Sequence, residues 1–207
     1  MSDPTGSATV RNHVIISGTG RAGTTFLVQL LTRLGLDTGF DEDNIDVLAP
    51  AYAGLERVFW ADDAPYIVKT PLFCDISPEL FRSGAVRIER AIIPVRRFEA
   101  AAASRVHVQK AATGLADGES VPGGLWGSKI AADQPALLRL KFTRLIEMLV
   151  DLDVPITFLM FPRLVQDPDY LYDKLRFLLA DIEISAFREA FRAIVRPEWV
   201  HQFAGEE

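Results

Sequence analysis

Hydrophobic positions along the chain fall into short continuous runs that alternate with stretches of helical spacing. His13-Val14-Ile15-Ile16-Ser17 is the first such run and predicts a buried strand. It passes directly into Gly18-Thr19-Gly20-Arg21-Ala22-Gly23-Thr24-Thr25. Phe26, Leu27, Leu30, Leu31 and Leu34 then recur at helical intervals until Gly35 ends the pattern. Tyr66-Ile67-Val68-Lys69, Ala91-Ile92-Ile93-Pro94-Val95 and the run at 156–161 predict three more strands. Pro94 has no N–H, so it belongs at a sheet edge or a strand end. Helices are predicted over 99–112, over 133–152, and from Asp167-Pro168 through Leu171, Leu175, Leu178 and Leu179. A last helix is predicted over 185–195. Ser77 and Pro78 predict the N-cap and first position of a short helix reaching Phe81.

The intervening segments read differently. Residues 37–46 are acidic and polar and predict a loop, while 47–60 predict an irregular helix. Five glycines (114, 118, 123, 124 and 127) make 113–128 a mobile loop and a candidate lid. Continuous rather than alternating apolar strands, each followed by a helix, predict a three-layer α/β fold with a central parallel sheet flanked by helices. Residues 1–12 read as a flexible tail and 13–207 as a single domain.

Composition narrows the function classes. The balance of 28 acidic and 22 basic residues gives a formal charge of −6. That argues against a general nucleic-acid or anionic-membrane binder and leaves room for a local cationic pocket. Cys74 is the only cysteine, which excludes an intrachain disulfide and a cysteine zinc site. The cytoplasm is the compartment this suggests. His13, His107 and His201 are scattered without metal-ligand spacing, so no metal is expected. No signal-peptide pattern is visible, and no apolar run approaches the ~20 residues that span a bilayer.

The chemistry concentrates at Gly18–Thr25. A strand, a glycine-rich turn and a helix N-terminus present successive N–H groups and a positive helix end to an anion. The glycine spacing matches a phosphate-binding P-loop, but Thr24-Thr25 stands where a nucleoside-triphosphatase carries Lys-[Ser/Thr], and the cation sits earlier, at Arg21. Ligands of doubly wound sheets bind at the carboxyl ends of the strands. Here those ends carry Lys69, Arg96-Arg97 and Arg163, and none carries an Asp to hold magnesium. The strand ends therefore predict a cationic crevice in an acidic protein.

Gly20-Arg21-Ala22-Gly23-Thr24-Thr25 resembles the 5′-phosphosulfate loop of sulfotransferases that use 3′-phosphoadenylyl sulfate (PAPS). Arg96, followed eight residues later by Ser104, resembles their 3′-phosphate site, where a guanidinium fork and a hydroxyl can meet one phosphate. Ile67-Val68-Lys69-Thr70-Pro71 is similar to the family's strand end bearing a lysine that touches the sulfuryl group. The segment from Leu164 to Leu178 resembles the approach to the last core helix. The matches span about residues 13 to 180 and suggest a short, bacterial-type member with a P-loop-like fold.

The resemblance implies transfer of a sulfuryl group from PAPS to a hydroxyl or amine of a small-molecule, sugar or lipid acceptor, with 3′,5′-adenosine bisphosphate as product. It implies that Gly20, Arg21, Ala22, Gly23, Thr24, Thr25, Arg96 and Ser104 bind the cofactor and that Lys69 and Arg21 stabilise developing charge. The chain also departs from the family pattern. Pro71 stands where the cytosolic branch has a catalytic histidine, Phe26 replaces a common tryptophan, and Pro162-Arg163 replaces an acidic pair. The late Arg-Lys-Gly motif is absent. By analogy with branches that use a glutamate beyond the first helix, Glu42 is the expected base and Asp41 the second choice, with His107 as a further candidate. The chain is shorter than many members, which implies an acceptor pocket left open or completed in a homodimer. Tyr52, Phe59, Trp60, Phe73 and Trp126 are candidates to line it. Two other readings stand beside this one: a P-loop small-molecule kinase using ATP, and a non-catalytic nucleotide binder or scaffold of the same fold.

Overall fold

The computed structural model describes residues 10–47, 51–71, 73–77, 79–200 and 203. Four strands form one parallel sheet: β1 (Arg11–Ile16), β2 (Ile67–Lys69), β3 (Val86–Val95) and β4 (Ile156–Met160), in the order β2-β1-β3-β4. Among the described residues six α-helices accompany them: α1 (Thr24–Arg33), α2 (Glu79–Arg82), α3 (Phe98–Thr113), α4 (Gln134–Asp151), α5 (Pro168–Leu175) and α6 (Ile184–Ile194). The α/β class and the flanked parallel sheet agree with the sequence pattern. No described helix is long and apolar enough to cross a membrane.

Two cores explain the layers. On one face Val14, Ile16, Ile67, Ile92 and Leu159 pack against apolar residues of α1, α5 and α6, including Leu27, Leu30, Leu31, Leu171 and Phe187. On the other, Ile15, Val68, Ala91 and Ile93 meet Leu145, Met148 and Leu149 of α4. Adjacent strand residues thus feed opposite cores, which is why the strands carry unbroken apolar runs. Asp167 and Pro168 open α5 as expected: the Asp167 carboxylate accepts the Tyr170 N–H (2.9 Å) and Pro168 takes the first turn.

Several boundaries move. β1 starts at Arg11, two residues into the expected tail, and residues 1–9 lie outside the described part. β3 begins at Val86, five residues early. Its first half alternates, with Val86 and Ile88 buried and Arg87 and Glu89 exposed. The β1–β3 register then slips by one residue between His13 and Val14, so that Ala91 and Ile93 continue on the same face as Ile88. Pro94 stands in an interior strand near its end. The Ala91 N–H points to β4, so by alternation the Pro94 nitrogen faces β1, beyond the last register pair Ile16–Ile92. No ladder bond is lost there.

The expected helix over 47–60 is absent from its described residues, 47 and 51–60, which form turns and irregular backbone. Tyr52, Gly54 and Leu55 all have positive φ (43°, 127° and 63°), which no helix tolerates. The short helix near 77–81 is α2, starting at Glu79; Pro78 lies outside the described residues.

Candidate functional site

Thr24, the first residue of α1, follows directly on a loop that leaves β1. Gly18, Gly20 and Gly23 take φ of 140°, 72° and 87°, and Arg21 itself is left-handed at 57°. Gly23 is the N-cap of α1 and supplies no side chain to satisfy the first-turn N–H groups. These donors open on a cavity of about 470 Å³ lined by Gly20, Arg21, Gly23, Thr24, Thr25, Lys69, Arg96, Ser104 and Arg105 among others. Of the expected cofactor residues, Gly20, Arg21, Gly23, Thr24, Thr25, Arg96 and Ser104 meet at this one cavity. Ala22 is fully buried behind it.

The two motifs touch although 83 residues separate them. Arg21 Nε donates to Ser104 Oγ (3.1 Å). Arg96 Nη1 donates to the Arg21 carbonyl (3.1 Å), and its guanidinium lies over the Phe161 ring. Ser104 is buried in the second turn of α3, held there by the alanine-rich packing of that helix. Burial, with the Arg96 charge nearby, pushes Arg21 down to about 10. Among the described residues no carboxylate pairs with Arg21.

Lys69 ends β2 and is 4 % exposed. Its ammonium donates to Thr25 Oγ1 (2.9 Å), to Glu56 Oε1 (2.8 Å) and to the Gly54 carbonyl. Burial pulls its pKa down, an effect that the Glu56 carboxylate opposes. Glu56 reaches Lys69 because the left-handed residues 52–55 turn the chain, the Arg57 N–H bonds the Lys69 carbonyl (3.1 Å), and the Arg57 guanidinium bonds the Gly39 carbonyl (2.7 Å). Glu56 is the only carboxylate among the described residues of the cavity wall.

Glu42 and Asp41 stand elsewhere. Glu42 pairs with Arg33 (2.6 Å), both exposed. Asp41 caps the 3-10 turn at Glu42–Asn44, accepting from the Asp43 N–H and the Asn44 amide. Neither lines the cavity, because local capping and an exposed ion pair hold that acidic segment against the end of α1. His107 also faces away, in a separate groove where its ring meets Phe203. Of the four expected strand-end cations, Lys69 and Arg96 face the cavity. Arg163 instead forks onto Asp167 (3.0 and 2.9 Å), and Arg97 is exposed at the start of α3. Among the candidate aromatic residues, Tyr52 and Trp126 line the cavity; Phe59 and Phe73 are core, and the half-exposed Trp60 packs on Phe59.

Three contributors were not visible in the sequence pattern: Glu56, Arg105 and the segment after α6. Tyr52 stacks on Trp199 (centroids 4.1 Å apart), and Ile194, Val195, Trp199 and Val200 complete an apolar wall. The cavity therefore joins a cationic floor of loop N–H groups, guanidiniums and an ammonium to apolar and aromatic sides. Comparisons with family models, with curated proteins and with solved structures return no match for this chain.

Proposed function

We propose that the chain is a PAPS-dependent sulfotransferase with a P-loop-like nucleotide site, transferring a sulfuryl group to a hydroxyl or amine of a small-molecule, sugar or lipid acceptor. The observation that carries this reading is the contact between Arg21 and Ser104, which brings the Gly20–Thr25 loop and the Arg96/Ser104 pair to one cavity. A single 5′-phosphate site would need only the loop. A second anion site beside it fits a nucleotide with phosphates on both sides of its ribose.

The roles follow from the chemistry of the groups. The first-turn N–H groups of α1 with Thr24 and Thr25 hold the 5′-phosphate, and Arg96 with Ser104 holds the 3′-phosphate. Bound PAPS would supply the sulfuryl group at the Lys69 side of the loop. Lys69 and Arg21 then face the negative charge that grows on the sulfuryl oxygens and the leaving phosphate. Their burial strengthens that attraction, because little water screens it. The carboxylate of Glu56, beside Lys69, takes the acceptor's proton, the role that Glu42 was expected to fill. Lys69, Arg21 and Glu56 share one cavity, so a donor on the loop and an acceptor beside Glu56 would meet with little further ordering.

The test is turnover. PAPS is incubated with the protein and a panel of hydroxyl- and amine-bearing compounds, and acceptor-dependent release of 3′,5′-adenosine bisphosphate is followed. Glu56→Gln is expected to lower the rate about 10²–10⁴-fold, the usual worth of a positioned base, and Glu42→Gln to leave it unchanged. The reverse ranking would return the base to the acidic loop. Consumption of Mg-ATP with transfer of its phosphoryl group would replace the sulfuryl reading with a kinase.

A further inference from the structure

Arg105 follows Ser104 on α3 and is 8 % exposed. Its fork joins two segments about a hundred residues apart in sequence, the loop after β1 and the glycine-rich segment after α3. One Nη donates to the Thr19 carbonyl of the loop after β1 (2.5 Å), and the other to the Gly124 carbonyl of the glycine-rich segment (2.7 Å). Its Nε is buried without a partner. The guanidinium lies over the Trp126 ring (5.2 Å) and forms part of the cavity wall. Among the described residues no carboxylate neutralises it, and Arg21 stands close enough to add to the effect of burial in lowering its pKa.

One helical turn later, Gln109 works on the same segment. Its amide donates to the Glu119 carbonyl (2.7 Å), and its Oε1 accepts from the Val121 and Leu125 N–H groups (3.3 and 3.4 Å). Positions 105 and 109 share a helix face. Two buried polar side chains thus hydrogen-bond the backbone of 119–125, Gln109 three times and Arg105 once. The glycines of both segments are cut to this arrangement. A Cβ on Gly20 would meet Arg105 Nη2 at 2.6 Å, one on Gly123 would meet Arg21 Nη1 at 3.3 Å, and one on Gly124 would meet Gln109 Oε1 at 2.5 Å.

We propose that Arg105 is a positioning residue that couples the anion loop to the glycine-rich wall, so that an anion held by the loop also fixes residues 119–126. Without an anion, two guanidiniums lie near each other in a low-dielectric setting, and only two carbonyl bonds and the Trp126 ring offset the burial of the fork. An anion on the loop offsets that repulsion and favours the arrangement in which Arg105 holds both carbonyls. Coupling of this kind is reciprocal: a fixed wall also raises affinity for the anion. The inference needs only an anion-binding loop and does not depend on sulfuryl transfer.

The experiment is hydrogen exchange of the full chain, free and saturated with either pyrophosphate or 3′,5′-adenosine bisphosphate. Binding of either anion is expected to slow exchange in 119–126 about tenfold, within the range usual for coupled sites. In Arg105→Met at saturating anion, that slowing should fall below about twofold. Arg105→Lys keeps the charge but lacks the fork that reaches both carbonyls, so it should bind the anions and still lose the protection of 119–126. The lysine variant also serves if the methionine variant does not fold. Full protection in Arg105→Lys, or no change in the wild-type segment on saturation with pyrophosphate, would overturn the coupling. Protection by pyrophosphate without any binding of the bisphosphate would support the coupling and sink the sulfuryl reading.

Discussion

The chain has two glycine-rich segments, Gly18–Gly23 and Gly114–Gly127, and they look alike in composition. Their sequence contexts suggest opposite properties: a rigid anion loop between a strand and a helix, and a mobile lid between two helices. The structure gives several of their glycines the same task. Gly20 and Gly124 lie where side chains crowd the backbone too closely for a Cβ, and Gly123 lies in tight contact with Arg21 at 3.3 Å. Gly114 and Gly118 meet nothing within 4 Å and serve only positive φ, at 77° and 132°. Glycine content alone therefore does not separate motion from close approach. The neighbours decide, and here they are two arginines and a glutamine, Arg21, Arg105 and Gln109.

Substituting the glycines in turn tests that distinction. Gly20→Ala combines a left-handed position with a clash against the Arg105 fork. It should cost about 1–2 kcal/mol for the backbone and a similar amount for displaced packing. It should also weaken binding of the bisphosphate about 10–100-fold, as loss of a charge-assisted contact does. Calorimetric titration beside thermal unfolding would read both effects. Gly124→Ala is expected to lose about 1–3 kcal/mol by overpacking against Gln109 and Val121, with a smaller effect on ligand affinity. Gly114→Ala ends α3 in open space, so it should cost only the backbone term, about 2–8 °C in melting temperature, and leave affinity untouched. If Gly114→Ala harmed binding as much as Gly20→Ala, the distinction between crowded and merely turned glycines would collapse.

A smaller effect concerns the strand beneath the loop. His13 Nδ1 bonds the Pro65 carbonyl (2.8 Å), and burial lowers its pKa below 6.5. The folded state therefore binds this proton less readily than the unfolded chain. Its contribution to stability is whole above about 6.5 and declines as the pH falls below that value. His13→Asn should flatten the pH dependence of the melting temperature in that window. An unchanged slope would assign it to other groups.

Much of the fold was legible because local and global signals agree. The β1–loop–α1 unit is contiguous, its apolar run and helical spacing are strong, and its glycines need no distant partner to be recognised. Arg96 and Ser104 stand out through the family resemblance, and a strand end followed by two helix turns brings both to the cavity. Glu56 was not readable. Its segment has no period, and the positive φ values at 52, 54 and 55 come from tertiary contacts such as Arg57 with Gly39. The acidic run at Asp41–Asp43 drew attention as the base because it follows α1 in sequence, yet local capping and the Arg33 ion pair occupy it. Arg105 was missed because it stands beside a motif residue, and a helix places neighbours 100° apart, so adjacency says little about shared direction. The first half of β3 did carry a signal. Val86-Arg87-Ile88-Glu89 alternates with period two, but the bulge that follows breaks the alternation before Ala91.

The central claim is that the cavity holds a nucleotide through two separate phosphate sites. It is tested most directly by thermal unfolding with 3′,5′-adenosine bisphosphate, beside 5′-AMP and Mg-ATP. At about 100 times its dissociation constant the bisphosphate should add roughly 2.7 kcal/mol of stability, which is about 5–11 °C at this chain length. The gain should exceed that from 5′-AMP at equal concentration and should shrink to the 5′-AMP level in Arg96→Ala. Equal stabilisation by 5′-AMP and the bisphosphate, or stabilisation by Mg-ATP alone, would contradict the account.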